Sequence, residues 1–266
     1  MPEELAARQI TLEGETREVY CVGDGPAVVI MHEVPGLHPG VVAFARRVAA
    51  LGLRAYLPSL FGEPFREVTP GYSARSMARA SVASEFTTWA TRKTSPITTW
   101  LRALAKLAHT ECGGPGVGAI GMCLTGGFAL AMMVDDIVVA PVLSQPSLPF
   151  GLLPSQMRDL GIDDATLAQI KTRCAAGGLP HPALLGLRFT GDRLVPPERF
   201  ERLRAELGDD FLAVEIDSSP GNPHGIPRLA HSVLTHHLVD EPGHPTRVAL
   251  DQVLAFFRDR LLPTPA

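Results

Sequence analysis

Charge is scarce in this 266-residue chain: Asp, Glu, Lys and Arg together make up 20% of it, hydrophobic residues 45%, and the formal net charge is -4. A disordered tail protein, a coiled coil or a nucleic-acid binder would need far more charge or a clear basic excess, so those classes are excluded. Lysine is almost missing, with 3 Lys beside 21 Arg; together with abundant Ala and Pro this points to coding bias rather than function. Cysteine is sparse as well, at positions 21, 112, 123 and 174 without CxxC spacing, and a chain of this size has no need of disulfide staples, so free thiols are expected. There is no internal repeat and no low-complexity tract. A single α/β domain over 1–266 is the simplest expectation, since about 250 residues is an ordinary size for one.

Two stretches lack charge altogether, Gly113 to Val134 and Ile137 to Met157. Each is long enough to cross a bilayer, for which about 20 apolar residues suffice. The first, however, holds seven glycines and a proline and the second four prolines, so both read as short apolar runs cut by turns. The start, Met1-Pro2-Glu3-Glu4, is acidic and no apolar run follows it, unlike a signal peptide. The expectation is a cytoplasmic protein, monomeric or homodimeric, with neither membrane nor nucleic acid as partner.

What is present is an alternation of strands and helices. Arg17 to Val22 reads as an edge strand before the turn Gly23-Asp24-Gly25-Pro26, and Ala27 to Met31 as a strand apolar on both faces, the kind that helices cover on both sides. Val41 to Leu51 has helical spacing, and Arg54 to Leu57 is a short strand. Tyr72 to Arg92 reads as a polar helix, and Ser95-Pro96 is a good cap for a helix over Ile97 to His109. Val117 to Met122 and Ile137 to Leu143 are buried strands, separated by a sharp turn at Cys123 to Thr125 and a small-residue helix from Gly126 to Val134. Further on, Asp163-Asp164 caps a helix that ends near Gly177, and Ala183 to Thr190, Pro197 to Leu207 and Ala213 to Asp217 read as strand, helix, strand. An amphipathic helix closes the chain, Thr246 to about Leu261. Such an order implies a mostly parallel sheet with helices on both faces.

Nucleotide motifs are lacking. No P-loop occurs, and the segment after the first buried strand, His32 to Leu37, is nothing like G-x-G-x-x-G. Metal motifs are lacking too, with no HExxH and no Cys/His cluster. No cofactor and no metal are therefore expected.

The informative segment is Gly121-Met122-Cys123-Leu124-Thr125-Gly126-Gly127. It sets a nucleophilic side chain between a buried strand and a small-residue helix, as a nucleophile elbow requires. The helix N-terminus favours the thiolate, and the Leu124 N–H would face a developing oxyanion. Against this stands a buried structural cysteine, since free Cys is among the most buried residue types. Triad logic then asks for an acid and a histidine further on, in that order. Asp192 follows the strand Ala183 to Thr190 at its carboxyl end, where such sheets place their sites; alone, it would read as a turn or cap aspartate. Of the histidines at 224, 231, 236, 237 and 244, His231 is chosen as base, with His224 second.

Taken together, His32-Glu33-Val34-Pro35-Gly36, Gly121-x-Cys123-x-x-Gly126-Gly127, Gly191-Asp192-x-x-Val195-Pro196 and His231-Ser232 resemble the dienelactone hydrolases of the α/β-hydrolase superfamily, over about Val28 to Leu261. The resemblance implies an α/β-hydrolase fold and a Cys123–Asp192–His231 triad that cleaves an ester or lactone through a thioacyl-enzyme. It also implies that Glu33 interacts with the resting thiol and helps to generate the thiolate, and that Val34 supplies a second oxyanion N–H beside that of Leu124. Three departures stand out. Thr125 occupies the place of the first elbow glycine. Thr235 stands four residues after His231, where the family has a carboxylate-binding arginine; Arg75 and Arg79, with Arg92, lie in the segment that could supply another. Residues 144–178 are longer than the family pattern and form a candidate partial lid. The alternative to a hydrolase is a catalytically silent relative that binds a small molecule or uses Cys123 as a redox-sensitive thiol.

Overall fold

The computed structural model describes residues 5–82, 95–148 and 154–263. Its centre is one eight-stranded sheet in the order β1-β2-β4-β3-β5-β6-β7-β8. The strands are β1 (Ala6–Leu12), β2 (Glu15–Val22), β3 (Ala27–Met31), β4 (Arg54–Pro58), β5 (Val117–Met122), β6 (Val138–Ser144), β7 (Leu184–Phe189) and β8 (Phe211–Ile216). β2 runs antiparallel to both β1 and β4, and every later pairing is parallel.

Every residue of β3, β5 and β7 is buried, as befits strands covered by helices on both faces, and Arg188 of β7 is the one charged residue among them. On one face Val28, Ile30, Ile120 and Val142 pack against α1 (Pro39–Ala49) and α8 (Pro245–Leu261). Val29, Met31 and Ala119 point the other way. They meet α3 (Pro96–Cys112) and α4 (Gly126–Met132), with α6 (Asp164–Ala175) and α7 (Pro197–Leu207) farther along. Two caps read from the sequence do their work here: the Ser95 side chain accepts from Thr98 N–H, and that of Asp163 accepts from Thr166 N–H at 2.6 Å.

The expected edge strand is not at the edge. β2 is second, because β1 lies outside it. In β1 only Ile10 is buried, so that strand carries none of the apolar alternation by which a strand is read. α2 (Pro70–Val82) is the described part of the helix expected over Tyr72 to Arg92; the rest of that span lies outside the described residues.

Residues 144–178 contain a short α5 (Pro154–Met157) as well as α6, and 149–153 lie outside the described residues. Two buried arginines tie the described part to the body. Arg173 in α6 donates to the carbonyls of Met133, Asp135, Asp136 and Val138. Arg199 in α7 donates to those of Pro146, Gln156, Asp159 and Leu194. Among the described residues no helix is long and apolar enough to cross a membrane.

Candidate active site

Parallel pairing collects the candidate residues at one edge. β3 and β5 are neighbours in register, Met31 opposite Gly121. The loop His32 to Leu37 and the turn at Cys123 therefore leave the sheet side by side. That places Val34 three residues beyond one member of the pair and Leu124 three beyond the other, so their backbone N–H groups belong to adjacent strand ends. The loops after β6, β7 and β8 emerge at the same edge and bring Ser147, Asp192 and His231.

Cys123 is buried and has φ +58, a left-handed conformation that costs a non-glycine residue of order 1 kcal/mol or more and persists only where its surroundings impose it. Thr125 imposes it. Its hydroxyl accepts from Met122 N–H at 2.8 Å and lies 2.9 Å from the carbonyls of both Met31 and Met122, so it ties the turn to the end of β3. The departure from the glycine pattern is thus a stitch across two strands. Gly121 must remain glycine, since a Cβ there would lie 2.1 Å from the Thr125 carbonyl oxygen.

His231 Nδ1 lies 2.6 Å from Asp192 Oδ2, and Asp192 Oδ1 accepts from Leu194 N–H at 2.9 Å. Arg188 holds the Asp192 loop by donating to the carbonyls of Thr190 and Val195 on either side of it. The other side of the imidazole is turned to Cys123: His231 Nε2 is buried, has no well-formed hydrogen bond among the described residues, and interacts with the Cys123 thiol. Burial would lower the proton affinity of His231, but negative charge at Cys123 and the bond to Asp192 outweigh it and hold the ring well above its ordinary value. His224, the second choice, is exposed and stacks edge-on against His244.

Glu33 is buried and fully engaged. Oε1 meets His38 Nε2 at 3.2 Å and the Thr235 hydroxyl; Oε2 accepts from Gln145 Nε2 at 3.0 Å and Ser232 Oγ at 2.6 Å. Burial pushes the carboxyl up, yet the bonds from His38, Ser232 and Thr235 reverse this and hold it down at about 2. Its contacts therefore run to the His231 loop. The resting thiol of Cys123 instead lies 3.1 Å from Ser147 Oγ.

Neighbouring histidines play supporting parts. His32 Nε2 accepts from Leu60 N–H, its Nδ1 bonds the Glu33 carbonyl, and burial lowers it to about 4, which keeps the ring neutral. His237 Nδ1 accepts from the backbone N–H groups of His231 and Ser232.

A sequence profile of the dienelactone hydrolase family matches residues 18–232. The chain belongs to the dienelactone hydrolase family. No curated protein matches it. Among solved structures it is similar to a provisionally assigned dienelactone hydrolase from Klebsiella pneumoniae (17% identity, TM-score 0.65, covering 95% of this chain and 97% of that one). It is similar also to a dienelactone hydrolase-like promiscuous phosphotriesterase from metagenomic libraries (16%, TM-score 0.59, 97% and 99%). A third is an α/β serine hydrolase without lid from Xanthomonas campestris (14%, TM-score 0.58, 100% and 99%). At these identities the likeness establishes the fold, that of an α/β hydrolase.

Within this family member some residues escaped the sequence reading. Ser147 and Gln145 follow β6, and His38 caps α1, its Nδ1 accepting from Gly40 N–H. One signal was available: Ser144, Gln145 and Ser147 are polar residues in a charge-free stretch, and all three are buried. The arginine candidates do not join the group. Arg75 is exposed on α2, and the side chain of Arg79 and the whole of Arg92 lie outside the described residues.

Proposed function

We propose that the protein hydrolyses a carboxylic ester or lactone by acyl transfer to Cys123. The observation that carries this reading is the pairing of a cysteine held at positive φ on a strand-to-helix turn with a histidine that is bonded to a buried aspartate and interacts with that cysteine on its other side. The Cys123 thiolate attacks the carbonyl carbon, and the N–H groups of Leu124 and Val34 receive the oxyanion. His231, protonated at Nε2, gives that proton to the leaving alcohol oxygen as the tetrahedral intermediate collapses. It then takes a proton from water, which attacks the thioester and releases the acid. Asp192 stays ionised and steadies the imidazolium. Glu33 acts at one remove, by holding Ser232 next to His231.

The substrate class follows from Thr235 as well. Its hydroxyl is spent on Glu33, so the position four after His231 offers no cation to a substrate carboxylate. An ester or lactone without that carboxylate fits better than a dienelactone.

The test is hydrolysis of a panel of small activated esters and lactones by wild type, Cys123→Ala and His231→Ala, with intact-mass detection of an acyl adduct on Cys123. Expected are turnover and an adduct in wild type and neither in Cys123→Ala. Turnover that survives Cys123→Ala defeats the mechanism, and an inactive wild type favours the small-molecule-binding or redox-thiol alternative.

A further inference from the structure

We propose that Ser147 is a working part of this centre: its hydroxyl donates a hydrogen bond to the Cys123 thiolate and so keeps the nucleophile ionised in the resting protein. The inference rests on the reading of Cys123 as nucleophile. Three observations carry it. Ser147 grips Cys123 twice, by Oγ at 3.1 Å from Sγ and by its backbone N–H to the Cys123 carbonyl at 3.0 Å, and the second bond stops the first from drifting. The carboxylate expected at the thiol is engaged elsewhere, both Glu33 oxygens being taken by His38, Thr235, Gln145 and Ser232. Finally, His231 Nε2 is buried with no well-formed hydrogen bond among the described residues and with Cys123 as its neighbour, so the centre contains a proton acceptor of its own.

The step balances within these groups. The Cys123 S–H bond breaks, its proton forms an N–H bond at His231 Nε2, and Sγ keeps the electron pair and accepts from the Ser147 O–H. No other reactant is needed. The charged groups around the centre are consistent with this. Asp192, bonded to Nδ1, stabilises the His231 cation, and Arg199 lies near Asp192 with its guanidinium on backbone carbonyls. Burial lowers both His32 and His237, so they favour their neutral forms.

Hydroxyl direction decides the matter. A serine that donates to the thiolate lowers the pH at which Cys123 ionises, whereas a serine that merely accepts from a neutral S–H raises it or leaves it unmoved. The experiment is the pH dependence of iodoacetamide alkylation, resolved by peptide mass so that Cys21, Cys112 and Cys174 are counted apart from Cys123. In Ser147→Ala the Cys123 midpoint is expected to rise by about one pH unit, with alkylation below the midpoint slowed about tenfold, the usual scale for one hydrogen bond to a charged group. An unchanged or lower midpoint overturns the proposal. Ser147→Thr and Ser147→Val form a second, shape-matched pair if Ser147→Ala folds poorly: Thr should keep the wild-type midpoint and Val should lose it, and equal midpoints again overturn it. No substrate enters the assay, so its failure is distinct from a failure to hydrolyse esters.

Discussion

Two buried carboxylates sit at the same edge of the sheet, Glu33 after β3 and Asp192 after β7, and they are built for opposite purposes. Glu33 has four donors drawn from α1, the β6 loop and the His231 loop. Asp192 has one backbone donor and one imidazole whose far side meets Cys123. The first is a knot, closed on every side. The second is coupled to a group that can still take up a proton and pass it on. The contrast predicts that substitution at Asp192 costs activity and substitution at Glu33 costs stability.

The largest effect is expected at Asp192. Asp192→Asn keeps the shape of the side chain but removes the charge that, in the proposed mechanism, steadies the imidazolium and fixes its tautomer, so kcat on the best ester of the panel should fall by about four orders of magnitude. The thermal midpoint should move little. If Asp192→Asn unfolds the protein while kcat per folded molecule holds, Asp192 belongs with Glu33 and the contrast is broken.

Next comes Glu33. In Glu33→Gln one carboxylate oxygen becomes an NH2 group facing donors, which leaves buried polar groups unpaired and should cost about 3 kcal/mol in urea unfolding, with a much smaller loss of kcat than at Asp192. The pH dependence sharpens this. His32 is lowered from 6.5 to about 4, so the unfolded chain binds its proton first, and stability present above pH 6.5 is lost as pH falls toward 4. Glu33 is lowered from 4.5 to about 2, so its contribution is complete above pH 4.5 and is lost as pH falls toward 2. Unfolding free energy measured from pH 7 to 3 should therefore decline in two stages. Glu33→Gln should shrink the lower stage, to which Glu111, Asp135 and Glu215 also contribute because their carboxyls are held down by neighbouring arginines, and should spare the upper.

The same contrast marks what was legible in the sequence. Strands buried on both faces, such as β3 and β5, declare themselves because every residue is apolar. Cys123, Asp192 and His231 can be proposed from sequence because each follows a strand in the order that a triad demands. The knot was harder to see. Gln145 lies 112 residues from the glutamate it bonds and Ser147 lies 24 from the thiol, and neither separation has a period or spacing to betray it. Arg199 acts through backbone carbonyls, and Arg188 through backbone carbonyls as well as Glu215; carbonyls are partners that no side-chain pattern records. β1 failed for the opposite reason, having almost nothing buried to alternate with.

Thr125 should give the smallest effect, and it tests whether the elbow depends on the hydroxyl or only on the bulk at that place. Its Oγ1 is the acceptor for Met122 N–H and lies within reach of the Met31, His32 and Met122 carbonyls. Val fills the same volume but leaves that buried N–H unpaired, at a cost of about 2 kcal/mol. Thr125→Ser keeps the hydroxyl and loses one methyl, for about 1 kcal/mol. Urea unfolding of the two variants should therefore rank Ser above Val. The reverse order would mean that packing, not the stitch to β3, holds Cys123 at positive φ, and a threonine would then be no better suited to this turn than the glycine it replaces.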